Sequence, residues 1–441
     1  KTLIATPKPR TRRFGFSRSV SVLQQLVEEI LRAGLTAFPN VELRLAHDVN
    51  AIVQSADKIT VYARRDDGAN LSFSTRYLLG CDGGKSTIRK LCGIKLIGSD
   101  TKDSWLVVDL IEDKTIPSTV KIYGNLTRPA VLIPLPRNYQ RWEFRLFSHE
   151  DHNEIAGDRE LVLRWISQWK ELGEAKIVRQ RVYQQSWKIA ENFQEKRVFL
   201  LGDAAHLMPP FAGQGLCSGI RDAANICWKL AIVVQGKASE KILQTYEFER
   251  RPHIQTTMAG TKFAGFLFFP KSRVEEILRD SLLSIVNYIP PLKRRLDHDL
   301  VRPKPICDKG LLIKSRAAGF MFIQPPVLLD NGKKVLLDEV LGEGFALLGL
   351  NVDPVLYMNE TTKNFWSNLR AKFVCVLSQH QSQPIDSSLL TIRDVSGEIS
   401  RWFSQYTGNI VAIRPDRFIA FLSKQEEIDT ITQLFSNLLL D

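Results

Sequence analysis

Two short runs carry residue types whose spacing suits a grip on a phosphorylated, polyhydroxylated ligand. The first is Cys81-Asp82-Gly83-Gly84-Lys85-Ser86-Thr87-Ile88-Arg89. Tyr77-Leu78-Leu79 reads as a buried strand that delivers a carboxylate and two glycines, with a helix starting just after. Glycine lets a backbone approach a pyrophosphate closely, and the helix N-terminus and Arg89 favour negative charge there. Taken alone, the run reads equally well as a plain strand–turn–helix with a solvated arginine. Gly84-Lys85-Ser86 imitates the end of an NTPase phosphate loop. The glycine which that loop requires five residues earlier falls on Leu79, with Gly80 one place off, and this argues against the reading.

The second run extends from Gly202-Asp203-Ala204-Ala205-His206 through Pro209-Pro210-Phe211-Ala212 to Gly213-Gln214-Gly215-Leu216-Cys217. Asp203 emerges at the carboxyl end of a second apolar strand, Val198–Leu201, where open α/β sheets bind ligands. A short carboxylate there can accept hydrogen bonds from polyol hydroxyls such as those of ribitol. Pro209-Pro210 makes a rigid wall. Gly213-Gln214-Gly215 offers bare N–H groups at the mouth of a helix, whose positive end favours developing negative charge. His206 reads as a packed histidine with no catalytic role. The whole run is far more specific than either half.

Elements that position these runs follow from hydrophobic periodicity. Val22, Leu23, Leu26, Val27, Ile30 and Leu31 share a helical face that ends at Gly34. Strands are expected at Val41–Leu45, Ile59–Ala63 and Leu71–Ser74, with a turn at Asp66-Asp67-Gly68. From Trp105 to Phe147 the pattern is that of an antiparallel sheet inserted between halves of an α/β domain. Helix dominates from Tyr246 to about Leu300, broken at Pro290-Pro291, and Pro303 to Pro326 reads as a linker. A separate unit follows from Asn331-Gly332, with strands at Phe345–Leu350, Phe373–Leu377 and Asn409–Ile413.

Composition bounds the rest. A chain of 441 residues, 44% hydrophobic and 24% charged, is ordinary for a globular protein. Length alone suggests about three domains. The net charge of +12 is scattered, with short clusters only at Lys8–Arg13 and Lys293–Arg295, so a nucleic-acid partner is not expected. The six cysteines form no Cys-x-x-Cys and no metal-type pairing with histidine, which points to a reducing, cytoplasmic setting without a metal site. The most apolar run, Phe263–Pro270, is too short to span a bilayer. The first residue is Lys1, and the expectation is that the chain begins partway through a protein.

Both runs together resemble the single-component flavoprotein hydroxylases of the 4-hydroxybenzoate hydroxylase type, and within them the 3-(3-hydroxyphenyl)propionate hydroxylase subfamily. Phe38-Pro39-Asn40-Val41, Arg181-Val182-Tyr183, Glu249-Arg250-Arg251 and Arg414-Pro415-Asp416-Arg417-Phe418 look like that subfamily as well. The resemblance implies an α/β fold. An FAD-binding Rossmann-like domain, incomplete here, would span 1–100 and 191–265, with a substrate-binding sheet inserted at 101–190. A helical segment and linker at 266–330 would lead to a thioredoxin-like domain at 331–441. Asp82, Gly83 and Arg89 are expected to serve the flavin and nicotinamide pyrophosphates. Gly202 and Asp203 would hold the ribityl chain, and Pro209 would stand near the reactive flavin edge. Gly213, Gln214, Gly215, Leu216 and Cys217 would line the pyrimidine edge, and Gln24 would touch the ribityl–phosphate region. The implied chemistry belongs to the cofactor. NAD(P)H reduces FAD, O2 adds to give a C4a-hydroperoxide, and its distal oxygen attacks an activated phenol. A homodimer is the expected assembly.

Three departures from the family pattern stand out. No Gly-x-Gly-x-x-Gly occurs in the chain, Cys217 replaces an asparagine, and Ala212 replaces a glycine. On the substrate side, Arg128 ranks first among candidates to pair with a substrate carboxylate, followed by Tyr123 and Arg141, with Tyr139 and Arg145 also on the inserted sheet. Each reads equally as an exposed strand residue, and Lys85 as a solvated lysine or a contact for NAD(P)H phosphate. A larger polycyclic phenol is the alternative substrate. An inactive relative acting as an interaction module is the alternative of a different class.

Overall fold

Both carboxylate-bearing turns follow short apolar strands, and those strands lie side by side in a computed structural model. It describes residues 14–17, 20–111, 117, 119–210, 213–295, 303–379 and 389–441. In chain order the elements begin with α1 (Gln24–Gly34), β1 (His47–Gln54), β2 (Ile59–Arg65), β3 (Asn70–Thr75), β4 (Leu78–Gly80) and α2 (Thr87–Leu91). Then come β5 (Leu96–Ile111), β6 (Lys121–Tyr123), β7 (Ala130–Pro134), β8 (Gln140–Leu146), α3 (His152–Gly157), α4 (Arg159–Ser167) and β9 (Lys176–Ala190). The short strands β10 (Gln194–Glu195), β11 (Val198–Leu200) and β12 (His206–Leu207) precede helices α5 (Gln214–Val234), α6 (Thr245–Phe268), α7 (Arg273–Tyr288) and α8 (Pro290–Arg295). The remainder holds β13 (Pro326–Leu329), β14 (Lys334–Leu336), α9 (Leu337–Leu341), β15 (Ala346–Leu350), α10 (Glu360–Asn368) and β16 (Lys372–Leu377). It ends with β17 (Leu390–Arg393), α11 (Glu398–Phe403), β18 (Ile410–Ile413), β19 (Ile419–Ser423) and α12 (Ile428–Leu440).

The chain forms two compact units. One takes in the described parts of 19–217 and 257–302, the other those of 7–18, 218–256 and 303–441.

The first unit contains a three-stranded meander β1-β2-β3, a small sheet β10-β11-β4 and a six-stranded sheet β12-β9-β5-β8-β7-β6. Strict alternation along β8 sorts its side chains between two faces. Trp142, Phe144 and Leu146 join Leu106, Val108, Leu132, Val162 and Ile166 in a core on one face, which α3 and α4 cover. Asp151 and Asp158 cap those helices by accepting from backbone N–H groups of their first turns. On the opposite face Trp105, Val131 and Phe269 pack with Ile133, Tyr183 and Phe268.

In the second unit a seven-stranded sheet runs β14-β13-β17-β16-β15-β18-β19. Its central strands β17, β16 and β15 are parallel and its flanks antiparallel. A fully buried ionic cluster lies in this unit. The Glu249 carboxylate accepts from Arg414 Nη2 at 2.7 Å, from Lys229 Nζ at 3.0 Å and from Asn225 Nδ2 at 2.6 Å. Burial alone would raise its pKa, but Arg414 and Lys229 hold the carboxyl well below the usual range.

Two expectations need correction. Val41–Leu45 is not a strand; the segment is irregular, and Val41, Leu43 and Leu45 are exposed, so no sheet face rewards the alternation. The stretch from Pro303 to Pro326 is no loose linker. Cys307, Leu311, Ala317 and Phe322 are buried, and bridges join Ile306 to Phe320 and Met321 to Phe418. Helix α1 forms where periodicity places it, yet Ile30 and Leu31 remain 71% and 65% exposed. Among the described residues, no helix is long and apolar enough to cross a membrane.

Candidate active site

β4 and β11 pair in parallel, Leu78 with Val198 and Leu200 with Gly80, so their carboxyl ends fall at the same edge of the sheet. The turn after each strand carries one of the two carboxylates, Asp82 and Asp203. Arg89 ties the turns together: Nη1 donates to Ala204 O and Nη2 to Gly84 O, both at 2.9 Å. The guanidinium is buried, which lowers its pKa, with the Asp82 charge opposing. Close packing adds to the strap, since a Cβ on Gly84 would come within 2.9 Å of Leu207.

The two carboxylates are used differently. Asp82 accepts from Ser86 Oγ and, at 3.0 Å, from Ile88 N, while Ser86 Oγ accepts from Arg89 N at 2.9 Å. It thereby secures the first turn of α2. Asp203 has no hydrogen bond or ion pair among the described residues. It is exposed and follows Gly202 (φ +57°) in a single 3-10 turn, where desolvation by the surrounding chain raises its pKa and His206 opposes the rise. A carboxylate without a partner at the carboxyl end of a parallel strand is poised for ligand hydroxyls. His206 itself is fully buried and belongs to β12, which pairs with Ile189 and Lys188 of β9. That pairing stitches the Asp203 turn to the six-stranded sheet.

Open space borders the glycines. Gly83 (φ +77°) and Gly213 (φ +65°) adopt left-handed backbone that a side chain would strain, and neither they nor Gly215 has any atom within 4 Å of a built Cβ. Gly213 N donates to Pro210 O at 2.9 Å as the chain enters α5. Pro209 and Gln214 are buried, whereas Leu216 and Cys217 are exposed in the first turn of that helix. Phe211 and Ala212 lie outside the described residues. Among the described residues Gln24 has no hydrogen bond to these turns; its amide donates to Glu28 within α1, at 2.7 Å.

The substrate-side candidates separate by sheet face. Tyr123 stacks with Trp142, with ring centroids 5.9 Å apart, and lies 4.3 Å from Trp169, on the face that α3 and α4 cover. Arg128 is on the same side. Its guanidinium lies 4.1 Å from the Trp165 ring centroid and forms a two-pronged pair with Glu150. Arg141 alone of the three projects from the opposite face, where it holds Asp109 through bonds of 2.7 and 3.0 Å. Alternation puts Arg145 on that face too, and Tyr139 lies at the tip of the hairpin, just before β8. Sequence reasoning missed Glu143, Asp109 and Tyr183 on this face. The signal was available in the period-two pattern Arg141-x-Glu143-x-Arg145 around buried Trp142 and Phe144. Burial pushes the Glu143 carboxyl up to about 7, with Arg141 opposing.

The cradle between the two turns has what a dinucleotide requires: a carboxylate without a partner, glycine backbone facing open space and a long helix starting at its rim. An FAD binding domain model matches residues 7–261, and an HcaD C-terminal domain model matches residues 319–438. The chain belongs to this family of FAD-binding flavoprotein hydroxylases. It is 33% identical over 421 residues to the 3-(3-hydroxy-phenyl)propionate/3-hydroxycinnamic acid hydroxylase of Escherichia coli O8 (strain IAI1), an alignment covering 94% of this chain and 76% of that relative. Against the enzyme of the same name from Burkholderia cenocepacia (strain HI2424), identity is 34% over 439 residues, covering 97% and 80%. In fold it resembles the flavin-dependent monooxygenase PieE, solved with FAD and substrate. There the TM-score is 0.76 at 18% identity, over 94% of this chain and 79% of that one.

Proposed function

We propose that the protein hydroxylates a small phenolic acid of the 3-(3-hydroxyphenyl)propionate kind, with FAD as cofactor and NAD(P)H and O2 as co-substrates. The observation that carries the substrate class is one-third identity, over nearly the whole chain, to enzymes named for that substrate. Bound FAD supplies the oxygen-activating chemistry. Asp203, after Gly202, would accept hydrogen bonds from the ribityl hydroxyls. Gly83 leaves room for the pyrophosphate, Arg89 fixes the spacing of the two turns, and Asp82 holds the start of α2 in place. Gly213, Gln214, Gly215, Leu216 and Cys217 would offer backbone donors at the N-terminus of α5 to the flavin's pyrimidine edge, with Pro209 walling its reactive side.

The C-terminal unit is best read as a thioredoxin-like domain that serves structure or homodimer formation. Redox exchange is disfavoured because Cys375 is buried in β16, where burial pushes its thiol up to about 11 and no second cysteine follows at Cys-x-x-Cys spacing. The six cysteines form no disulfide among the described residues, which supports a reducing, cytoplasmic setting.

The test is NADH and NADPH oxidation by the purified, FAD-loaded protein, with mass analysis of the product. Stimulation by 3-(3-hydroxyphenyl)propionate and a product carrying one more oxygen are expected. Stimulation only by fused-ring phenols would overturn the small-acid reading. A protein that never retains flavin would support an interaction module instead.

A further inference from the structure

The face of the inserted sheet that α3 and α4 leave uncovered combines charge and aromatic surface in an ordered way. Pairing across β7, β8, β5 and β9 gives three rows: Ile133–Arg141–Asp109–Arg179, then Val131–Glu143–Val107–Arg181, and finally Arg145–Trp105–Tyr183. Phe268 and Phe269 pack over the apolar part of this face and bring no charge. Arg141 is engaged by Asp109 through both prongs of its guanidinium. Glu143, in the middle row, forms no hydrogen bond or ion pair among the described residues. Its strand neighbours across the sheet are Val107 and Val131, neither of which can satisfy a carboxylate. An acid left without a partner in the centre of a strand, next to aromatic rings, is an expensive arrangement to keep for structure alone.

Resting on the proposed function, we propose that Glu143 receives the hydroxyl group of the aromatic substrate and accepts its proton as the ring is hydroxylated. In this step the phenolic O–H bond breaks, the proton passes to a Glu143 oxygen, and the electron pair stays on the phenolic oxygen. Density moves onto the ring carbon ortho or para to it, and that carbon takes up one oxygen atom of O2 as the O–O bond breaks, the other oxygen leaving as water with the two electrons that NAD(P)H supplies. Loss of that carbon's own proton restores the aromatic ring. Tyr183 complements the acid: burial, with the Glu143 charge adding, pushes its hydroxyl pKa upward, so it stays a neutral donor. The other charged groups on this face are Arg141 and Arg145 of β8, Asp109 of β5, and Arg179 and Arg181 of β9. Arg141 is held by Asp109, and burial brings the Glu143 carboxyl up to about 7, with Arg141 opposing.

The experiment compares the FAD-loaded wild type with Glu143→Gln and Glu143→Asp, measuring kcat/KM for product formation from pH 5.5 to 9 (a range set at roughly two units around the shifted pKa). In the wild type kcat/KM should fall as pH drops through about 7, where Glu143 takes up a proton. Glu143→Gln should lose about 100-fold or more at pH 8 and lose that acidic limb, and Glu143→Asp should recover part of both. A Glu143→Gln enzyme that stays within about twofold of wild type, or keeps the acidic limb, overturns the proposal. If Glu143→Gln does not fold, loss of the acidic limb or a shift in its midpoint in Glu143→Asp supports the proposal, and an unchanged limb overturns it. Should only fused-ring phenols be hydroxylated, the substrate reading falls, and Glu143 is judged by the same ratios with those phenols. A protein that hydroxylates no phenol refutes both.

Discussion

Arg89 and Ala204, 115 residues apart in sequence, are joined by a 2.9 Å hydrogen bond from guanidinium Nη1 to backbone carbonyl. With the companion bond to Gly84, it makes one buried side chain the clamp between the two carboxylate-bearing turns. Arg89→Met removes both donors and strands two carbonyls in a buried environment. Each should cost about 1–3 kcal/mol. Thermal unfolding of the flavin-free protein should drop measurably, and FAD affinity, followed by quenching of flavin fluorescence, should fall with it. An unchanged unfolding temperature would remove Arg89 from the role of clamp.

Asp203 behaves differently because none of the described residues holds it by a hydrogen bond or ion pair. Asp203→Ala should leave the stability of the flavin-free protein within about 0.5 kcal/mol, as for a surface change. FAD affinity should fall by about 10–100-fold, the equivalent of 1.4–2.8 kcal/mol. Titration calorimetry with FAD reads the loss directly. Large destabilisation without FAD would indicate a structural carboxylate.

Gly215 gives a sharper contrast. Alanine there meets open space and sits inside the first turn of α5, so helix propensity alone should stabilise the flavin-free protein by about 0.5–1 kcal/mol. The same methyl would project into the volume reserved for the cofactor and weaken FAD binding. Parallel melts with and without FAD should therefore diverge: a higher unfolding temperature for the variant alone, a smaller rise on adding flavin.

Arg128 should act on stability and not on substrate. Arg128→Ala removes the pair with Glu150 and the guanidinium's contact with Trp165, at an expected cost of about 1–3 kcal/mol, whereas KM for a phenolic acid should stay unchanged. A KM increase of tenfold or more with unaltered stability would return Arg128 to the substrate.

The buried cluster around Glu249 carries a pH signature. Its folded-state pKa lies below the unfolded one, so it contributes stability that is fully present above the unfolded value and is lost as pH falls through the range between them. Glu249→Gln should cost about 3–5 kcal/mol at pH 7, because buried Lys229 loses its main counter-charge and buried Arg414 is left with Asp416 alone, and the gap to wild type should narrow below about pH 4. Urea unfolding at a series of pH values measures both.

What the sequence made legible were local features. Val198–Leu200 with Asp203, and Leu78–Gly80 with Asp82, announce themselves through apolar runs that end in glycine and carboxylate, and the structure pairs those strands directly. Which carboxylate has no partner was not legible, because Asp82 is occupied by Ser86 and Ile88 only once α2 is in place. The faces of the inserted sheet were readable in principle from alternation at Arg141, Glu143 and Arg145. That Arg128 and Tyr123 lie on the helix-covered face was not legible, because which face the helices cover is a matter of packing at long range. Val41–Leu45 shows the converse: alternating residues do not become a strand without an edge to pair with.

Glu143 carries one more implication, for the shape of the stability curve. Its pKa is raised in the folded chain from 4.5 to about 7, so the native state holds a proton that the unfolded state has already released over that interval. Stability contributed at this position therefore declines as the solution becomes more basic, the opposite sense to Glu249. The ionised form that would accept a proton from a phenol is the form the fold tolerates least. Replacing it with glutamine should make the protein harder to unfold at alkaline pH even as turnover collapses, a trade between durability and work located on a single strand.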